Sequence, residues 1–145
     1  MTRPATQPVT QASRYLLDTN IISDLVKWPR GEIAQAIARV GEDAVFTSII
    51  VASELRYGVS KKGSNKLALQ VETILAEMEI APFEQPADQI YAQVRHHLTQ
   101  SGTPIGPNDL LIAAHALALD AILVTANEAE FARVPGLAVQ NWLND

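Results

Sequence analysis

Short apolar runs alternate with longer stretches of helical periodicity along most of the chain. Tyr15 to Leu17 is the first apolar run, and a helical pattern follows from Ile21 to Lys27, where Pro29 stops it. A second helix is predicted from near Gly31, with Ile33, Ile37 and Val40 at helical spacing and Gly41 closing it. Ala44 to Phe46 reads as a second strand, and Thr47 and Ser48 are candidate N-caps for a helix over Ile49 to Val59. After Ser64 an amphipathic helix carries Leu67, Val71, Ile74, Leu75 and Met78 on one stripe. Ile80 to Phe83 is a third strand, and Pro86 opens a helix expected to turn Ile90, Val94, His97 and Leu98 inward. Ser101 to Gly106 is a turn-rich break, after which Pro107 fits the first position of a helix running to about Leu119. Ala121 to Val124 is a fourth strand, Glu128 to Arg133 a helical turn, and Leu137 to Trp142 a terminal segment. Strands alternating with helices predict an α/β fold with a mainly parallel sheet covered on both faces.

Three acids stand out against this pattern. Asp18 ends the first strand, where open α/β sheets bind their ligands, although a carboxylate there also serves as a helix N-cap. Glu54 falls between Ile50 and Val51 on a helical wheel, with Leu55 and Gly58 beside it, while Ala52, Ser53 and Arg56 take the other side. A charge on an apolar face is costly unless it is paired or holds a metal. Arg56, the nearest base, points away at i+2. Asp109 lies in the first turn of a helix that is apolar nearly all round from Leu110 to Leu119, where the helix dipole alone favours an acid. Asn127 follows the fourth strand and could cap the next turn or offer its amide oxygen to a hard cation, whereas Glu128 and Glu130 read as exposed first-turn acids. Clustered carboxylates repel unless a cation offsets them, and oxygen ligands with little histidine favour magnesium or manganese over zinc.

Other chemistries find no support. The chain has no cysteine, no Gly-x-Ser-x-Gly elbow, no Gly-x-x-x-x-Gly-Lys loop and no His-Glu-x-x-His. His96 and His97 are adjacent and diverge, and His115 reads as a packed core histidine. At 145 residues the chain suits one domain, expected over 14–145, behind a polar stretch 1–13 read as a mobile tail or an upstream start. No apolar run approaches the roughly 20 residues of a membrane span, which points to a cytoplasmic protein without membrane contact. The net charge of −5 argues against bulk attraction to nucleic acid, yet Lys27 to Lys66 holds seven bases against four acids. Lys27, Arg30, Lys61, Lys62 and Lys66 are therefore candidates to guide a phosphate backbone, with a solvated face as the plainer alternative.

Four segments, in order, resemble a PIN-domain ribonuclease of the VapC type, the toxin of bacterial toxin–antitoxin pairs. They are Tyr-Leu-Leu-Asp-Thr-Asn at 15–20, Thr-Ser-Ile-Ile-Val-Ala-Ser-Glu-Leu-Arg-Tyr-Gly at 47–58, Gly-Thr-Pro-Ile-Gly-Pro-Asn-Asp-Leu-Leu-Ile-Ala-Ala-His-Ala at 102–116 and Leu-Val-Thr-Ala-Asn-Glu-Ala-Glu-Phe at 123–131. The resemblance implies a three-layer α/β/α PIN-like fold. It places the acidic site on Asp18, Glu54 and Asp109, catalytic and metal-holding, with the frequent fourth acid replaced by Asn127. Thr19, Ser48 and Thr125 become supporting hydroxyls. It further implies Mg²⁺, or Mn²⁺, and endonucleolytic hydrolysis of an RNA such as a tRNA or rRNA, leaving 5′-phosphates. Either Glu54 or Asp109 could orient the attacking water. A homodimer and a higher assembly with a cognate VapB-type antitoxin are also implied.

Two rivals differ in class. A catalytically silent PIN scaffold would bind RNA or antitoxin without cutting, which the presence of all three acids opposes. A phosphotransfer domain would need a second Asp where Asn20 stands, or a lysine within Thr125 to Asn127.

Overall fold

The computed structural model describes residues 13–143. Residues 1–12, nearly all of the expected tail, lie outside the described residues, as do 144–145. The elements run β1 (Tyr15–Leu17), α1 (Thr19–Lys27), α2 (Glu32–Val40), β2 (Val45–Ser48), α3 (Ile49–Lys62), α4 (Asn65–Ala76), β3 (Glu79–Ala81), α5 (Ala87–Gln100), α6 (Pro107–Ala118), β4 (Ile122–Val124), α7 (Glu128–Phe131) and β5 (Val139–Gln140). The strands form one parallel sheet in the order β3-β2-β1-β4-β5. Neighbouring residues of a strand face opposite sides. Leu16 and Leu17 of β1, and Leu123 and Val124 of β4, are all fully buried, so helices cover both faces in three layers. This is the α/β sandwich that the alternation of elements predicts.

Strand order reverses at β1 and β4, whose register pairs Leu17 with Val124. The chain therefore runs outward from β1 in one direction to β2 and β3, and in the other to β4 and β5. A crevice opens beyond the carboxyl ends of the strands at such a reversal. Asp18 and Thr125 are the residues that leave the two strands there, and the Asp18 amide donates to the Val124 carbonyl at 2.9 Å.

Several local expectations need correction. The terminal segment holds a two-residue strand, β5, on the sheet edge. Helix α3 runs three residues past Val59 and ends at Gly63, which takes the left-handed conformation (φ 64°) that an L side chain resists. Helix α4 stops at Ala76, so Met78 packs on the core from outside it. Strand β3 starts and ends earlier than expected, before Pro82, which has no N–H to give a ladder. Ala52 is fully buried rather than on the polar side of α3. His97 is exposed, because α5 packs through Ala87, Val94 and Leu98, and His97 lies about 60° round the helix from Val94.

Candidate active site

Three separate elements deliver carboxylates to one open cleft of about 760 Å³, lined by Asp18, Glu54 and Asp109 with Thr19, Asn20, Asn108 and Asn127. Asp18 is 2% exposed and uses both oxygens. Its Oδ1 accepts from the Thr19 amide at 2.8 Å, capping α1, and its Oδ2 accepts from the Thr125 hydroxyl at 2.7 Å. Burial pushes its carboxyl up, and the nearby Glu54 charge adds to that, against the hydrogen bonds from Thr125, Thr19 and Asn20. Glu54 is half-buried one and a half turns into α3. Its Oε1 accepts from the Thr19 hydroxyl and its Oε2 from Asn108 Nδ2 at 2.9 Å, so α1 and α6 both grip it. Arg56 turns away and pairs in a bidentate fashion with Glu72, at 2.9 and 3.0 Å.

Asp109, in the first turn of α6, carries the largest perturbation. Its carboxyl is pushed up to about 7, first by burial, then by a hydrogen bond with Glu130 and the charges of Glu130, Asp18 and Glu54. Glu130 has a better seat: the Gly106 amide donates to its Oε2 at 2.8 Å and holds its carboxyl below the usual range. The Asn127 amide nitrogen reaches both, at 3.1 Å to Glu130 Oε1 and 3.5 Å to Asp109 Oδ2. Asn127 does not cap α7 with its side chain. The ion pairs among the described residues, Arg14–Glu79 and Arg56–Glu72, leave the cleft acids without a basic partner. No three of the described acids and histidines converge into a ready-made cage. What the cleft offers is an excess of oxygen donors and negative charge, which helps to raise the Asp109 carboxyl to about 7. A hard divalent cation suits that donor set.

A family model described as PIN domain matches residues 15–137. The chain belongs to the PIN-domain family. It is 39% identical over 130 residues to Ribonuclease VapC2 of Rickettsia felis, spanning 88% of this chain and 97% of that protein. It is 31% identical over 130 residues to the tRNA(fMet)-specific endonuclease VapC of Salmonella typhimurium, spanning 89% and 98%. Among solved structures it superposes with a TM-score of 0.82 and 36% identity on a chain of VapBC2 from Rickettsia felis bound to a DNA fragment from their promoter, covering 88% of this chain and 98% of that one. The VapC-type resemblance read from the sequence holds.

The other candidate residues of this PIN domain distribute unevenly. Thr19 and Thr125 touch the acids directly. Ser48 does not: its hydroxyl accepts from the Ile50 amide at 3.0 Å and meets His115 Nδ1 at 2.8 Å. Lys27, Lys62 and Lys66 line a groove of about 680 Å³ that shares Thr19 and Glu54 with the acidic cleft. Lys61 lies over the ring of Tyr57, which lines the cleft. Arg30 instead borders a separate recess with Trp28. Sequence reasoning passed over Asn20, Asn108 and Glu130. Asn20 Oδ1 accepts from the Ala126 amide at 3.0 Å, tying the β1 and β4 ends together. The one available signal for Glu130 was its place three residues after Asn127, which suggests a local capping box rather than a reach to Gly106.

Proposed function

We propose that this PIN domain, residues 14–145, is the toxin of a toxin–antitoxin pair and cuts RNA with a divalent cation held by Asp18, Glu54 and Asp109. The observation that carries the reading is that these three carboxylates, from the end of β1, α3 and α6, line one cleft in which no base among the described residues forms an ion pair with them. A bound Mg²⁺ or Mn²⁺ supplies a Lewis acid for the phosphate and lowers the pKa of water. The chain's own residues set the geometry. Thr125 and the Thr19 amide fix Asp18, while the Thr19 hydroxyl and Asn108 fix Glu54. Without a cation the Asp109 carboxyl is raised to about 7 by burial and the neighbouring acids. A cation held there would favour its ionised form, and Glu54 or Asp109 would orient the water. Asn127, a candidate fourth ligand through its amide oxygen, turns its amide nitrogen to Glu130 and Asp109 in the cation-free cleft.

The relative named for tRNA(fMet) suggests a tRNA substrate. Lys27, Lys62 and Lys66, with Lys61 and Arg30 at the margins, would take its backbone on the same side as the acids. A VapB-type antitoxin is the expected partner, since the similar Rickettsia felis chain belongs to a VapBC2 complex. It would be able to present an arginine to the acidic cleft, and a toxin homodimer is the assembly we expect it to join. No helix among the described residues is long and apolar enough to cross a membrane.

The test uses antitoxin-free protein and initiator tRNA, with Mg²⁺ or Mn²⁺ and then EDTA. Cleavage should require the cation and vanish in Asp109→Asn. Cleavage that survives both unchanged would falsify the metal-nuclease reading, and tRNA binding without any cleavage would establish the silent scaffold instead.

A further inference from the structure

His115 is 1% exposed, lies away from the acids, and makes two hydrogen bonds that fix its chemical state. Nε2 faces the Pro82 carbonyl at 3.0 Å. A carbonyl only accepts, so Nε2 carries the hydrogen and Nδ1 is left as the acceptor. Nδ1 in turn faces Ser48 Oγ at 2.8 Å, so the Ser48 hydroxyl donates to it. That same oxygen accepts from the Ile50 amide as the N-cap of α3. Every donor and acceptor in the chain Ile50–Ser48–His115–Pro82 is used in one direction only. The Phe83 ring, edge-on at 5.2 Å, holds the imidazole plane.

The pairing of residues across α3 and α6 gives this network its consequence. Ser48 meets His115, and six residues further along α3 Glu54 meets Asn108, seven residues back along α6. The two helices therefore run antiparallel and are pinned at two points about 9 Å apart, at 1.5 Å per residue. One pin lies inside the acidic cleft. The other is Ser48–His115, where the sheet is tied as well: the neighbouring Thr47 hydroxyl donates to the Leu17 carbonyl at 2.7 Å, one residue before Asp18. Sliding or turning α6 against α3 would carry Asp109 away from Glu54, and the buried pin opposes it.

We infer that His115, acting through Ser48, is a positioning residue that sets the register of α3 against α6 and so the spacing of Glu54 and Asp109. The inference rests on the reading that these two acids hold a divalent cation. A histidine that merely filled the core would make its two hydrogen bonds equivalent in effect. The clamp makes them unequal, since the Ser48 bond joins the acid-bearing helices and the Pro82 bond joins only a loop.

Amide substitutions separate the two. In His115→Asn the amide falls near the place of Nδ1 and keeps Ser48 partnered while Pro82 loses its donor. In His115→Gln the longer amide reaches Pro82 and Ser48 loses its acceptor. The measurements are kcat on initiator tRNA with Mg²⁺, Mn²⁺ affinity by electron paramagnetic resonance, and melting temperature. His115→Gln and Ser48→Ala should each lose roughly 10-fold or more in kcat, as displaced catalytic groups do, and should weaken Mn²⁺ binding. His115→Asn should stay within about threefold of wild type even though it leaves more empty core volume and melts lower. Adding Ser48→Ala to His115→Gln should cost little more in kcat, because both remove the Ser48–His115 contact, while the α3 cap that Ser48→Ala also removes adds to the loss in melting temperature.

Equal losses in the two histidine variants, or losses that follow melting temperature, overturn the clamp. If wild type binds Mn²⁺ and cuts nothing, the ribonuclease reading falls and the order of Mn²⁺ affinities still decides the clamp. If wild type binds no Mn²⁺, both fall.

Discussion

Asp109→Asn should flatten the pH dependence of stability in the metal-free protein. The Asp109 carboxyl is raised from 3.8 to about 7 in the folded chain, a shift of about 3 units. At 1.36 kcal/mol per unit the full shift corresponds to ~4 kcal/mol. The group is part-exposed at the cleft mouth, so solvent screening brings the expected contribution to roughly 1–2 kcal/mol. The sign follows from the raised value. Below 3.8 the carboxyl is protonated in folded and unfolded chains alike, and its contribution is fully present. It is lost as pH rises through about 7, because the unfolded chain has already released a proton that the folded cleft still holds.

About two thirds of that loss falls above pH 5, so with EDTA present wild type should melt roughly 2–5 °C lower at pH 8 than at pH 5, relative to the same comparison in Asp109→Asn. Asp18, also raised, remains in both proteins, and Glu130, held below its usual range, is already ionised across this window. Circular dichroism melts in steps of half a pH unit are sufficient. Parallel curves for the two proteins would refute the assignment of the excess charge to Asp109. Adding Mg²⁺ should remove most of the alkaline loss in wild type and leave Asp109→Asn less changed.

Thr125→Val keeps the side-chain shape but removes the hydroxyl that donates to Asp18 and accepts from the Asn127 amide. It should cost about 1–3 kcal/mol in chemical denaturation and at least ~10-fold in kcat, with KM for RNA nearly unchanged. Lys62→Glu and Lys66→Glu should raise KM for RNA with little change in kcat, and each should lower the slope of log affinity against log salt by about 1. Gly31→Ala places a Cβ 2.9 Å from Trp28 Cβ and 3.2 Å from its carbonyl oxygen in the α1–α2 turn. It should destabilise the fold by about 1–3 kcal/mol and leave cleavage per folded molecule intact.

The elements that the sequence displayed most clearly are those whose signals are local. The run Tyr15 to Leu17 is a buried strand because both its faces are covered, so it reads as continuous apolar residues rather than as an alternation. Pro107 opens α6 and Gly63 closes α3 for backbone reasons that belong to those residues alone. Asp18 and Glu54 were visible because each sits against the grain of its element. Glu130 was not, since the donor that seats it, the Gly106 amide, lies 24 residues away and no periodicity records it. His97 and Ala52 were misplaced because a helical wheel gives angles but not the direction from which a neighbour packs. Strand β5 has two residues and pairs only with β4, and so little length carries no pattern.

The twofold use of the Asp18 carboxylate bears on how an inactive form of this protein should be made. Asparagine is the customary replacement for such an acid, but it turns one oxygen into a donor. At this position one face of the group meets the Thr19 N–H and the other the Thr125 hydroxyl, so a new donor confronts an existing one whichever way the amide is turned. The Thr125 hydroxyl could reverse only by giving up its hydrogen's acceptor while already accepting from the Asn127 amide. Asp18→Asn would thus disturb the junction of β1 and β4 along with the chemistry, and loss of toxicity in that variant would have two causes. Asp109 is held by weaker contacts at the rim, and a trap for bound RNA or antitoxin is cleaner when built there.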